Sequence, residues 1–549
     1  MDAQALHQRA RTSGVNPIIY RIARLVLIPF FRLYFRMDRH GMEHIPATGG
    51  LLLAANHRSF LDPFVLGTMT KRPLYYVAKK ELFDNRLYGW FLNSLGAFPV
   101  DRGASDEEML ETARAIMRRG DAVLIFPEGT RTRPGGLGTP KRGVGRLALE
   151  AGVPIVPLAI IGTDDIRKGW RIRPHKVRVR AGSPLTFPQV AEPSRQLAQA
   201  VTDRIWPCVQ LQWEWLGGTA PLRRAVVLGA GSWGTSLAVS LRRAGLDVHL
   251  GTRTQQQADE LARTNSNERY LPGERLDGIT VSRGADAPLE DADVVFLAVP
   301  SRDLAHVLAA HGERIPRSAG VVTLSKGLVA PLGTLPSVFA AERLQARAVA
   351  CLGGPAHAAD ALASGASVVV GATDRAFAAQ LVFTLTAAGL DARATTDLTG
   401  VELAGVAKNA AALAAAAAAP AGPNAAGAAA GKVFTEVEAH ARRSGAKPET
   451  FSGLAGAGDL VATVVAQQSR NRRAGELLAA GVPPHEIGPT LGQAVEALDT
   501  LPLLADRLSA ERHPCHTVAG LAKVATGELP ADRWLRGLTA PHGKAKVAA

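Results

Sequence analysis

The sequence predicts three folding units in series: an α/β domain, a second, doubly wound α/β domain, and an all-helical domain. Three observations carry this. Apolar strand-like runs at Gly50–Ala55, Ala122–Phe126, Ile155–Ile161 and Lys176–Ala181 alternate with helical stretches, the pattern of strands covered by helices. The alternation restarts at Ala225–Leu228, an apolar strand that runs straight into Gly229-Ala230-Gly231-Ser232-Trp233-Gly234. Beyond residue 381 the pattern turns helical and alanine-rich, with a low-complexity tract at Ala410–Ala419. Alanine is the best helix former, so this tract is read as a tightly packed helix, ended by Pro420, Gly422 and Pro423.

The boundaries follow from composition. Residues 1–37 form an N-terminal segment, and 38–190 the first α/β domain. Residues 191–222 read as a helical linker bearing Trp206, Trp213 and Trp215, closed by the helix-breaking run Gly217–Pro221. Residues 223–380 are the second α/β domain, 381–535 the helical one and 536–549 a tail. A chain of 549 residues accommodates three or four units at about 100–200 residues each.

The N-terminal segment PIIYRIARLVLIPFFRLYFRM, Pro17–Met37, is apolar but interrupted by Arg21, Arg24, Arg32 and Arg36. A bilayer span needs about 20 mostly apolar residues, and the longest unbroken stretch here is Leu25–Phe31. Arginines can snorkel from one side of a helix while Ile, Leu and Phe dip into lipid. The segment is therefore read as an interfacial helix, kinked at Pro29, that rests on the inner face of the cytoplasmic membrane without crossing it. The net charge of +14 suits anionic surfaces and phosphorylated substrates. Nucleic acid is set aside, because no helix-turn-helix, zinc-finger or RNA-binding aromatic signature is present. Cys208, Cys351 and Cys515 are far apart and offer neither a disulfide framework nor metal-ligand spacing, so the expected setting is a reducing cytoplasm and no metal is expected. The oligomeric state, including a homodimer, is left open.

Two motif sets carry chemistry. The first begins at AANHRSFLDPF, where His57 and Asp62 follow the strand Leu51–Ala55. A neutral imidazole can take the proton of an alcohol near pH 7, and a carboxylate on its other nitrogen fixes the tautomer. Downstream lie GAFPVDR from Gly96, FPEGTR from Phe126 and VPIVPL from Val153. In this order the four blocks resemble the glycerol-phosphate acyltransferase family, in particular the bacterial 1-acylglycerol-3-phosphate acyltransferases, over about residues 40–190. The resemblance implies His57 as general base, Asp62 as its orienter, and Arg102, Glu128, Gly129 and Arg131 at the phosphate end of the acceptor. Guanidinium forks suit phosphate; a glutamate does not, and Glu128 reads better as positioning an arginine or an acceptor hydroxyl. Lys141 and Arg142 stand where the family often has basic residues. The acyl donor implied is a thioester, on coenzyme A or on acyl carrier protein, attacked directly by the acceptor hydroxyl.

The second set opens with G-x-G-x-x-G in its strand–turn–helix context, the Rossmann fingerprint of dinucleotide binding. Gly229, Gly231, Ser232, Trp233 and Gly234 are the expected cofactor contacts. The second strand, Asp247–Leu250, ends in Gly251-Thr252-Arg253; Arg253, where NAD-specific sites carry Asp or Glu, favours a 2′-phosphate, hence NADP with NAD as the alternative. LSKGL with Lys326, GGPAHA from Gly353, VAKN with Lys408 and Asn409, GLAGAGDLV with Asp459, SRNRR with Ser469, Arg470 and Asn471, and GQAVEA with Glu496 then follow. Together these resemble bacterial NAD(P)-dependent glycerol-3-phosphate dehydrogenases over about residues 223–530. The resemblance implies Lys408 as the acid/base at the C2 oxygen. Lys326, Asn409, Asp459, Ser469, Arg470 and Asn471 would shape the substrate site, and Glu496 would lie near the cofactor. The chain departs from the pattern in two places: Lys432-Val433 stands where Arg-Gly is expected, and His357 where an aromatic is common.

The reading is a bifunctional enzyme acting on small phosphorylated glycerols. One half reduces dihydroxyacetone phosphate to glycerol 3-phosphate; the other acylates 1-acylglycerol 3-phosphate or glycerol 3-phosphate. The alternative is an active acyltransferase carrying a catalytically impaired, nucleotide-binding dehydrogenase-like module.

Overall fold

The computed structural model describes residues 3–100, 107–132, 135–168, 171–512 and 514–539. It divides into two compact units, Met1–Pro221 and Leu222–Ala549.

The first unit is built on a seven-stranded sheet. Its strands are β1 (Asp38–His40), β2 (Leu51–Ala55), β3 (Leu74–Lys79), β4 (Ala97–Val100), β5 (Ala122–Ile125), β6 (Ile155–Ile161) and β7 (Arg178–Ala181), in the order β1-β7-β6-β2-β5-β3-β4. All neighbours are parallel except β6 and β7. Every residue of β2 is buried, as expected of a central parallel strand covered on both faces, which reads as a continuous apolar run. The residues after its carboxyl end are those that carry the first motif.

The segment 191–222 is more than a linker. Its helix, Arg195–Trp215, buries Ala198, Val201, Thr202, Ile205, Trp206, Val209, Gln212 and Trp213 and packs on the helix Gly143–Ala151 and on β6. An amphipathic repeat looks the same whether its apolar face meets its own domain or a neighbour; here it completes the first core. The N-terminal residues form two helices, Ala3–Thr12 and Pro17–Leu33. The first buries Leu6, His7 and Ala10. The second is capped by Asn16, whose side chain accepts from Ile18 and Ile19, and continues through Pro29. Ile18, Ile22, Leu25, Val26 and Leu33 on it are more than half exposed, while Phe31 is buried.

The second unit holds an eight-stranded sheet of β8 (Arg224–Leu228), β9 (Asp247–Thr252), β10 (Ile279–Arg283), β11 (Val294–Leu297), β12 (Gly320–Thr323), β13 (Ala348–Gly353), β14 (Ser367–Ala372) and β15 (Asp391–Thr395). Their order is β10-β9-β8-β11-β12-β13-β14-β15. The only antiparallel neighbours among these are β13 and β14. The boundary expected at 380 therefore moves to about 396: the helix Arg375–Ala387 and β15 belong to the sheet. The sequence hid this because the Asp391–Thr395 run, DARAT, is an edge strand with little apolar character.

The helical domain surrounds the helix Leu398–Ala418, buried from Gly400 to Ala418. Alanines make this close packing possible. Gly475 sits so near it that a Cβ there would collide with the Leu413 carbonyl. The next helix, Pro423–Arg443, contains the departure at Lys432-Val433: Val433 is fully buried, and Lys432 Nζ donates to the Leu538 carbonyl at 2.8 Å. That carbonyl lies on the last helix, Ala531–Thr539, which buries Trp534 and Leu538. Structure thus continues into the span read as a tail, to Thr539.

Candidate active sites

In the first unit, the chain leaves β2 at Ala55 and turns through Asn56, whose amide pairs both ways with the backbone of Ile160 at 3.0 and 2.8 Å. This extends the strand pairing by a side chain and aims His57 outward from the sheet end. His57 Nδ1 lies 2.9 Å from Asp62 Oδ2, and Asp62 is fully buried at the start of the helix Asp62–Gly67. The same carboxylate accepts the backbone N–H groups of Arg58 at 2.6 Å and Ser59 at 2.8 Å, and the Thr163 hydroxyl at 2.6 Å. With three other donors fixed on it, Asp62 is an immobile acceptor that selects the Nδ1–H tautomer and leaves Nε2 free to accept a proton. The ring stacks on Phe126 at 4.1 Å between centroids.

Glu128 departs from its expected role at the acceptor phosphate. It is 3 % exposed. Its Oε2 accepts from His57 N at 2.6 Å, and Oε1 from Gly138 N at 2.7 Å and Thr132 Oγ1 at 3.2 Å. Thr132 returns to His57 through its own N–H and hydroxyl, both on the His57 carbonyl. Glu128 is therefore a strut that fixes the His57 backbone, and burial raises its pKa. A buried carboxylate braced on backbone donors has no reason to meet a phosphate. Arg58 is buried as well: Nη2 donates to the Gly136 carbonyl at 2.6 Å and the guanidinium lies 4.5 Å over Trp213. Gly129 adopts a left-handed φ of +68° with the Lys141 side chain against it. Arg131 is exposed. Arg102 lies outside the described residues. Thr163, Gly138 and Trp213 were not foreseen; only their distances in space, not their spacing, mark them.

In the second unit, two clefts share a wall. One, of about 1150 Å³, is lined by Gly229 to Gly234, Arg253 and Glu496. Gly229 turns with φ +115°, and a Cβ at Gly234 would strike the Gly229 carbonyl. A Cβ at Gly231 would meet open space, which is where a pyrophosphate can approach the N-terminus of the helix Ser232–Arg243. Arg253, just past β9, is exposed and has no hydrogen-bond or ion-pair partner among the described residues. Trp233 lines both clefts. These residues fit a dinucleotide with its adenosine end by Arg253.

The other cleft, of about 900 Å³, collects Lys326, His357, Lys408, Asn409, Asp459, Thr463, Arg470 and Asn471. Asp459, 2 % exposed, lies 3.1 Å from Lys408 Nζ and 2.5 Å from Lys326 Nζ, one oxygen to each. Lys408 also donates to Thr463 Oγ1 at 2.9 Å. Burial, then the Lys326 charge, pushes the Lys408 ammonium down to about 8, against the opposing pull of Asp459. Burial alone would raise Asp459, but the two lysines together hold it below the usual carboxylate range. Asp459 opens the helix Asp459–Val465 directly after a single π-helical turn, Leu454–Gly458, a device common at functional sites. Thr463 was missed in the sequence, although it stands one helical turn from Asp459 on the same face.

Asn471 donates to Asn409 Oδ1 at 2.7 Å, and Asn409 to the Lys326 carbonyl at 3.0 Å. Glu496 accepts from Ser301 N and Lys326 N, each at 3.0 Å, joining the walls of both clefts. Arg470 is exposed, lines both and holds the Ala494 carbonyl at 3.3 Å. Ser469 lines the same cleft and is the N-cap of the helix Arg470–Ala479, its hydroxyl accepting from Arg472 N and keeping its own proton to donate. The imidazole of His357 is depressed by burial and by Lys408.

Comparison with known proteins agrees with this division. Residues 36–161 match the acyltransferase family. Residues 224–378 match the N-terminal part, and 397–536 the C-terminal part, of NAD-dependent glycerol-3-phosphate dehydrogenase. The glycerol-3-phosphate dehydrogenase [NAD(P)+] of Deinococcus radiodurans is 38 % identical over 59 % of this chain and 97 % of its own length. That of a Chelativorans species is 39 % identical over 52 % and 87 %. A crystal structure of glycerol-3-phosphate dehydrogenase from Coxiella burnetii superposes with a TM-score of 0.56 at 28 % identity, covering 58 % of this chain and 99 % of its own.

The Glu128 strut gives a direct test. In Glu128→Gln the amide NH2 must face a donor on one side, either His57 N–H or Gly138 N–H. An unsatisfied buried donor costs about 1–3 kcal/mol, so urea unfolding of the first unit should show a loss of that size. An unchanged midpoint would mean that the strut does not hold the loop.

Proposed function

From the premise that this chain belongs, over residues 224–536, to the NAD-dependent glycerol-3-phosphate dehydrogenase family and carries an acyltransferase domain at 36–161, we propose a bifunctional enzyme of glycerolipid synthesis. One half makes glycerol 3-phosphate from dihydroxyacetone phosphate; the other esterifies a glycerol phosphate, with 1-acylglycerol 3-phosphate as acceptor and a thioester of coenzyme A or acyl carrier protein as donor. Unacylated glycerol 3-phosphate, the product of the dehydrogenase half, is the second acceptor to assay. The observation that carries the dehydrogenase half is the Lys408–Asp459–Lys326 cluster beside a dinucleotide cleft.

In the dehydrogenase half, the reduced nicotinamide supplies hydride when the cofactor is bound. The work of this chain's residues is to place and neutralise the substrate. Lys408, held between Asp459 and Thr463, gives its proton to the oxygen that becomes the C2 hydroxyl, and Lys326 adds positive charge nearby. Arg470 offers a guanidinium for the phosphate. In the acyltransferase half, His57 Nε2 takes the proton of the acceptor hydroxyl as that oxygen attacks the thioester carbonyl. Asp62 stabilises the imidazolium, which then protonates the leaving thiolate. Arg131 and Lys141 supply positive charge for the acceptor phosphate.

Three measurements test this reading. His57→Ala should lower acyl transfer to 1-acylglycerol 3-phosphate by about 10²–10⁴-fold and leave reduction of dihydroxyacetone phosphate intact; near-normal acyl transfer would remove His57 as the base.

For the dehydrogenase, an acid works only while protonated. Reduction by NADPH should therefore fall as pH rises through about 8, and Lys408→Ala should abolish it. Arg253→Ala should weaken NADPH binding about tenfold or more, the worth of one charge-assisted hydrogen bond, with NADH little changed. Equal use of both cofactors would refute the 2′-phosphate assignment. Nucleotide binding without any turnover would instead favour the impaired-module alternative.

We also place the chain on the inner face of the cytoplasmic membrane through the exposed Ile18–Leu33 face, flanked by arginines. Leu25→Asp with Val26→Asp should abolish sedimentation with anionic vesicles, and high salt should weaken it in the unsubstituted chain. Equal sedimentation of the variant would locate the contact elsewhere.

A further inference from the structure

The helix Leu398–Ala418 carries, six residues before Lys408, a carboxyl with no evident part in the chemistry. Glu402 is 4 % exposed and forms no ion pair among the described residues. Its Oε1 accepts from Ser337 N at 2.8 Å and Thr323 Oγ1 at 3.2 Å, and its Oε2 from Ser337 Oγ at 2.5 Å. Burial pushes its pKa up to about 7, opposed by these bonds. A solitary buried carboxyl is expensive, so its placement calls for a reason.

The reason lies in what Thr323 and Ser337 bracket. Thr323 is the last residue of β12, and Ser337 lies in the first turn of the helix Pro336–Arg343. Everything between them is the excursion that presents Lys326. One carboxyl on the helix of Lys408 thus grips both ends of the segment that carries the other lysine. Asn409, on the same helix, holds the excursion at Lys326 itself, through that residue's carbonyl. A local cap for Pro336–Arg343 would sit at Leu335, which makes no side-chain capping bond; the cap is supplied across the fold instead.

We propose that Glu402 is a positioning residue of the dehydrogenase site, a buckle that fixes the Lys326 segment on the Lys408 helix and so sets how the two lysines share Asp459. This rests on the reading of Lys408 as the acid. Lys408 is faced by Lys326, Asp459, Glu496 and His357. If the buckle opens, Lys326 drifts, its repulsion on Lys408 weakens and Asp459 turns to Lys408 alone. Both changes favour the ammonium, so the alkaline limb of the rate profile moves to higher pH.

The experiment is steady-state reduction of dihydroxyacetone phosphate by NADPH across pH in the full chain. Glu402→Ala should lower kcat/KM about 10- to 100-fold, the usual penalty for a misplaced catalytic group, and shift the alkaline limb upward. Glu402→Gln can accept from Ser337 N and donate to Ser337 Oγ; it should retain most activity and the original limb. Ser337→Ala removes one arm, keeps Glu402 and should shift the limb in the same direction by less, which decides the matter if Glu402→Ala fails to fold. An unshifted limb in both Ala variants overturns the proposal, as does Glu402→Gln behaving like Glu402→Ala. Lys408→Ala is run in parallel: turnover in that variant would overturn the acid assignment, a failure distinct from one confined to Glu402 and Ser337.

Discussion

The second unit is organised around the electrostatics of one carboxylate. Asp459 is buried between two ammonium groups, and in that setting each charge depends on the others: removing one partner of a buried pair typically costs about 3–5 kcal/mol. Much of the surrounding architecture can be understood as the means of keeping these three groups in register. The π-helical turn before Asp459 sets its direction, and the helix Leu398–Ala418 brings Lys408 to it. The narrow alanine surface of that helix lets its neighbours approach closely enough to exclude water. Exclusion of water, in turn, is what depresses Lys408 toward the pH at which it can exchange a proton.

The first unit solves a related problem differently. Its histidine stands at the end of a central parallel strand, and two carboxylates hold it from opposite sides: Asp62 on the ring, Glu128 on the backbone. Backbone N–H groups and hydroxyls bond the oxygens of both carboxylates and hold them in place.

Much of this was legible in the sequence, for identifiable reasons. His57 and Asp62 meet within one strand-to-helix turn, so spacing alone suggests them. Gly229 and Gly234 stand where a left-handed turn and a close carbonyl admit only glycine. Glu128 was legible as a residue but not as a role, because its partner Gly138 lies across a loop whose path no local pattern encodes. The linker assignment failed because Trp206 and Trp213 read as an aromatic cluster whether they face solvent, lipid or a core. Ser469 lines the cleft where the sequence suggested it, and caps a helix as well, a second role that its motif did not reveal. Glu402 was invisible, since a lone glutamate in an alanine-rich stretch ordinarily marks a solvated face.

The burial of the helix Leu398–Ala418 has a consequence for how the chain is made. By length and hydropathy, Leu398–Ala421 would pass as a membrane span, although its residues from Gly400 to Ala418 are buried in protein. A nascent segment of this length and hydropathy is a candidate for insertion into a bilayer. Lys408 near the middle opposes misinsertion: a lysine at the centre of a span costs about 2.5–3.5 kcal/mol, and Glu402 and Asn409 add further polarity. The side chains that organise the active site thus also set the insertion cost of the segment, so that replacing Lys408 with an apolar residue would remove a charged group from the cleft and lower that cost together.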